Sequence, residues 1–286
     1  MSESTVKSTR YARTEVARSE PVADSGRRRR IIRAAELCFA AAMRLAPRRQ
    51  RFRAVMLAAD AATPLLRLTS AYREQELKGF DGPREIALHF MLNALTRNGA
   101  RFDPVIDVRG LEEFERAYAA GKGVLVIGPH AALTLLMIRF FYDRGLDPVV
   151  VAPDSRMRVG GTTVTARVIL PSPTFLVKTR NSLRRGGVVC AMPDRAEHHG
   201  ARTVEFDTAA GRVIVAPALM HVAARCGARV IFTEVHAEGR STVVGSISSP
   251  RDASSGEAIT REFMEFVRAR ASDRAAAAGR AHRGAV

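Results

Sequence analysis

One histidine in this sequence stands where general-base chemistry is possible. The run KGVLVIG (122–128) is continuously apolar, as a buried strand is, and Pro129 and His130 follow it directly. AALTLLMIRFFYDRG (131–145) then reads as a strongly apolar helix closed by Gly145. His130 therefore lies between the carboxyl end of a strand and the amino end of a helix. The helix dipole there disfavours a charged ring, and a neutral imidazole is what takes a proton from an attacking hydroxyl or amine. A capping or packing histidine fits the same position. A second apolar run, VVCAMP (188–193), ends in Asp194. Reactive groups in open α/β sheets gather at such carboxyl ends, so His130 and Asp194 are the leading pair. Gly128, two residues before the base, permits close approach of backbone.

The remaining reactive residues carry weaker signals. The loop SRMRVGGTT (155–163) holds Arg156 and Arg158 between small residues and suits a phosphate or a cover over the site, but it lacks the Walker pattern. His198 and His199 are adjacent and point apart on a loop, with no further ligand spacing, so no metal site is expected. Cys38, Cys190 and Cys226 are widely separated, without a CxxC pair, and read as reduced thiols of a cytoplasmic protein. Ser155 and Ser182 lack a nucleophile elbow, which argues against a serine hydrolase. His89 reads as a packing or surface residue, and His221 as a packing residue inside a helix.

The elements that must position His130 and Asp194 alternate along the chain. Buried-strand runs at 122–128, 147–153, 188–193, 228–235 and 241–247, with a further strand over 202–208, are separated by helical stretches at 131–145, 172–187, 214–227 and 256–271. This alternation predicts an α/β fold, a mostly parallel or mixed central sheet flanked by helices. Before it lies a helical region. IIRAAELCFAAAMRL (31–45) ends at Pro47, a second helix covers about 51–62, Pro64 opens or kinks a third, and REIALHFMLNALTRN (84–98) is closed by Gly99. The expected organisation is a flexible basic leader over 1–26, a helical extension packing on membrane or core over 27–104, the α/β domain over 105–272, and a frayed tail over 273–286.

Charge sets the expected partners. The net charge is +16, and residues 1–53 hold fourteen Lys/Arg against five Asp/Glu. Such segments attract anionic surfaces, whether acidic lipid or nucleic acid. No helix-turn-helix, zinc or RNP pattern accompanies the arginines, so nucleic acid is the weaker reading. The amino-terminal region lacks an apolar signal core, and no run reaches the ~18 apolar residues of a membrane span. A cytoplasmic protein, peripheral on the inner face of the membrane, is the expectation.

The ordered blocks GKGVLVIGPH, LRRGGVVCAMPD and VEFDTAAGRVIVAPALMHVAARCGARVIF resemble the lipid A biosynthesis-type lysophospholipid acyltransferases, over roughly residues 105–240. The resemblance implies acyl transfer from acyl-CoA or acyl-carrier protein to a hydroxyl or amine, with no other cofactor. It places His130 at the catalytic base and Asp194 at the third-block aspartate, with Arg180, Arg184 and Arg185 where basic groups meet phosphate or phosphopantetheine. One departure stands out: the family signature is His-x4-Asp/Glu, and here Leu135 occupies the acid position. Another acid (Asp154, Asp194 or Glu205) then serves, or His130 acts alone on the thioester. A third course is that the domain binds a lipid or acyl carrier without turnover.

Overall fold

The computed structural model describes residues 25–66, 83–152, 166–194, 203–209 and 211–283. The chain divides into two units, residues 1–35 and 36–286. Of the first unit, only the start of helix α1 (Ser25–Leu45) is described. The second unit holds the rest of α1 and continues with α2 (Arg48–Leu66), α3 (Pro83–Arg97), β1 (Val105–Arg109), α4 (Leu111–Ala119), β2 (Val124–Ile127), α5 (Thr134–Asp143), β3 (Val149–Val151) and β4 (Arg167–Ile169). Then come α6 (Phe175–Arg184), β5 (Val188–Ala191), β6 (Val204–Thr208), β7 (Gly211–Val215), α7 (Ala218–Cys226), β8 (Arg229–Glu238), β9 (Thr242–Ser248) and α8 (Gly256–Arg283).

Seven strands form one mixed sheet in the order β1-β9-β8-β2-β5-β3-β4. β8, β2, β5, β3 and β4 run parallel to one another, and β9 turns back antiparallel to β8 with β1 parallel to it. β6 and β7 pair as a separate antiparallel hairpin. The expected α/β class is what the structure has.

The strand pleat divides the interior in two. Val124 and Val126 face a core shared with Phe52, Met56, Leu88 and Leu95 of the early helices and with Leu136 and Phe141 of α5. Leu125 and Ile127, the alternate residues, face a second core with Leu183 of α6, Met220 of α7 and Phe263 of α8. A strand buried on both faces needs apolar residues throughout, which is why VLVI reads as an unbroken run rather than an alternating one. The apolar faces of α2 and α3 are thus filled by the domain itself: Phe52, Val55, Met56 and Leu95 are fully buried.

Several boundaries differ from the sequence reading. Pro64 neither opens a third helix nor ends the second; it lies inside α2, where Thr63 Oγ1 bonds back to the Ala59 carbonyl at 2.8 Å. Ile214 and Val215 belong to β7 and not to a helix, because β6 supplies a pairing partner and Pro217 caps α7 from outside. β4 was unforeseen. Helix α8 runs through Arg283, well past the expected fraying point at 273, because its Ala- and Arg-rich end has high helix propensity.

Candidate functional site

The carboxyl ends of β2 and β5 lie side by side, since Ile127 is in register with Ala191, and Ile127 also pairs with Phe232 partway along the longer β8. Chain leaving β2 passes Gly128 and Pro129 to His130, then turns through residues 131–133 into α5. Gly128 is required by packing: a Cβ there would lie 2.4 Å from the Thr233 carbonyl oxygen of β8. Chain leaving β5 passes Met192 and Pro193 to Asp194. The two segments meet, and the backbone N–H of His130 donates to Asp194 Oδ2 at 2.6 Å. Nδ1 of His130 stands 3.0 Å from Sδ of Met192. A thioether accepts only weakly, so this contact suits a ring protonated on Nδ1 with its lone pair on Nε2.

A second carboxylate closes on the same turn from the early helices. Glu85, in the first turn of α3, accepts the backbone N–H of Ala132 on Oε1 at 2.5 Å. Desolvation pushes its pKa above the ordinary carboxylate value, against the lowering effects of the Ala132 N–H and the Arg84 guanidinium. One helical turn on, the His89 ring lies edge-on to the His130 ring, with centroids 5.9 Å apart and planes at 62°. One turn further, Asn93 Nδ2 is 2.8 Å from His89 Nε2. Glu85, His89 and Asn93 thus form one polar row on the face of α3 that meets the 130–132 turn. His89, read from the sequence as a packing or surface residue, is half-buried and packs edge-on against Phe90 as well as His130.

Beneath the turn is a cavity of about 20 Å³, room for a water-sized group. Val126, Met137, Ile138, Phe141 and Val150 line it with Cys190 and Met192. The Cys190 thiol is pushed up to about 12 by burial, so it is not a nucleophile in this setting.

The other expected residues distribute unevenly. Arg184 and Arg185 are exposed at the end of α6, which leads through Gly186 and Gly187 to the start of β5. The Gly187 carbonyl accepts from Val124 N, the first residue of β2. These two arginines therefore lie at the opposite edge of the sheet from His130, separated by the strand length, roughly 13 Å at the usual rise. Arg180 is exposed one turn earlier on the same helix. The structure does not bring Arg184 and Arg185 to the base. Glu205 is exposed on the hairpin and pairs with Arg212 at 3.2 Å. Arg156, Arg158, Asp154, His198 and His199 lie outside the described residues. Among the described residues no group of three His, Cys, Asp or Glu could hold a metal ion. No helix among them is long and apolar enough to cross a membrane.

Leu135 is partly buried and packs against the first core. Carboxylates reach the turn around His130 instead from β5 and α3. Sequence reasoning singled out Asp194 and missed Glu85. The available signal was the spacing 85, 89, 93 of three polar residues in a helix whose Ile86, Leu88, Leu92 and Leu95 are buried. No family model matches the chain, and no curated protein matches it.

Proposed function

We propose that the chain is an acyltransferase, moving an acyl group from a CoA or acyl-carrier-protein thioester to a hydroxyl or amine of a lipid or metabolite, with His130 as general base. The observation that carries this reading is the meeting of His130 and Asp194 at the carboxyl edge of the sheet, in the block order of the acyltransferases the sequence resembles. Nε2 of His130 takes the acceptor's proton as the acceptor oxygen or nitrogen bonds to the thioester carbonyl carbon. The carbonyl oxygen holds the displaced electron pair; on its return the carbon–sulfur bond breaks. The departing thiolate takes the proton from the imidazolium, giving an ester or amide and a free thiol. Asp194, bonded to the backbone of the base, supplies negative charge that favours the imidazolium.

The amides of His130 and Ala132 are occupied by carboxylates, so neither serves as an oxyanion donor. Phosphate binding rests in this proposal on Arg156 and Arg158 rather than on Arg184 and Arg185. Leu37, Leu45 and Leu57 are exposed among the exposed Arg44, Arg48, Arg49 and Arg53. That mixture supports peripheral attachment to the anionic inner face of the cytoplasmic membrane.

The test follows thiol release and acylated product from palmitoyl-CoA, or from palmitoyl-acyl-carrier protein, with lysophospholipid and glycerol acceptors. The wild type consumes thioester, and His130→Ala lowers the rate by on the order of 100-fold or more. Equal rates in the two proteins reject His130 as base. Thermal stabilisation by palmitoyl-CoA without turnover in any acceptor mixture favours a binding relative that has lost catalysis.

A further inference from the structure

The acid that the resembled signature carries on the helix after the histidine is replaced here by Leu135, and a different element fills the gap. Glu85, His89 and Asn93 recur every fourth residue of α3, so one side of that helix presents all three. Each makes a specific contact: Glu85 with the Ala132 N–H, His89 with the ring of His130, Asn93 with the ring of His89. Polar groups withdrawn from water require partners. On a helix otherwise anchored by Ile86, Leu88 and Leu95, Glu85 and His89 find them in the turn that carries His130, and Asn93 finds its partner in His89.

We infer that Glu85 and His89 are positioning residues for His130. Glu85 fixes the turn that carries the base, and His89 fixes the plane of its ring, which keeps Nδ1 against the Met192 sulfur and so holds the tautomer. This inference rests on the reading of His130 as the base. It assigns to helix α3 the orienting task that the signature gives to a residue at position 135. Glu85 acts here as a hydrogen-bond acceptor rather than as a charge. A glutamine, which keeps the acceptor oxygen, therefore preserves the function, and an alanine does not. His89 acts through ring contact with His130, so its loss frees the ring without removing the base.

The experiment uses full-length protein with ¹⁵N-labelled histidine, the His130 ring signals being identified by their loss in His130→Gln. In the wild type His130 shows one tautomer, protonated on Nδ1. In Glu85→Ala and in His89→Ala the ring nitrogen shifts move toward the average of the two tautomers, while Glu85→Gln keeps the wild-type pattern. Palmitoyl-CoA consumption is measured alongside. The rate constant kcat falls on the order of tenfold to 100-fold in both alanine variants with KM little changed, and Glu85→Gln stays within about threefold. If Glu85→Ala does not fold, His89→Ala and Glu85→Gln still decide. An unchanged His130 spectrum in folded His89→Ala, or a Glu85→Gln spectrum as averaged as that of an alanine variant, overturns the inference. The absence of thioester turnover in the wild type removes the acyltransferase reading alone, because the ring spectra stand independently of it.

Discussion

Glu234 shows how little room this sheet leaves for an ionised side chain. Its side chain is 5% exposed and meets Arg270 of α8, with Nε 3.0 Å from Oε2. Burial pushes its pKa above the ordinary 4.5, and the Arg270 guanidinium only partly offsets this. A folded-state pKa above the unfolded one means that the native protein binds this proton more tightly. The stability it contributes is complete below the unfolded pKa and is lost as pH rises through the folded one. Glu234→Gln, which keeps an acceptor for Arg270, should therefore gain on the wild type in melting temperature as pH rises from acid to neutral. A gap between the two that stays flat over that span refutes the assignment. Arg270→Ala leaves the carboxylate buried without its guanidinium and should cost about 2–3 kcal/mol at neutral pH. At this same scale His130 and Asp194 were legible, because each follows an apolar strand run directly. Glu85 was legible only as one of a polar row at 85, 89 and 93: its partner is the backbone of a turn 47 residues away, which local spacing does not identify.

At the scale of elements, α5 carries its apolar load where the resembled signature carries an acid. Leu135 packs on the first core, so Leu135→Glu places a carboxyl into apolar surroundings. The expected outcome is a loss of roughly 2 kcal/mol in stability, read by thermal melting, and no gain in thioester turnover. A variant that turns over faster than the wild type shows that the site still lacks its acid. The helices and the buried strands were read correctly where propensity, apolar run and stop residue agreed, as in 122–128, 131–145 and 188–193. The reading failed where tertiary pairing outweighed local preference. Gly211–Val215 is a strand because Val204–Thr208 lies opposite it, and three-residue β4 is a strand because β3 offers it an edge. The run through Pro64 failed for another reason: a proline inside a helix is disfavoured, yet α2, anchored before it by buried Met56 and Ala59, continues through it to Leu66.

For the whole molecule, the arrangement of the sheet determines which segments must find one another. The five parallel strands require crossovers, and the candidate site sits where β2 and β5 end, beside the middle of β8. The two carboxylates that hold the 130–132 turn come from 47 residues before it and 64 residues after it. Each contact closes a long loop, and the entropy of that closure is lost before the bond contributes anything. The turn should thus be among the last parts of the chain to become ordered during refolding. Its two bonded amides then act as separate clocks: exchange with deuterium at Ala132 follows the undocking of α3, and exchange at His130 follows the release of the β5 end. In pulse-labelled refolding both should gain protection after the amides of β2 and β5. Protection of Ala132 and His130 together with those strands would mean that the turn is built locally and the carboxylates arrive to a finished structure.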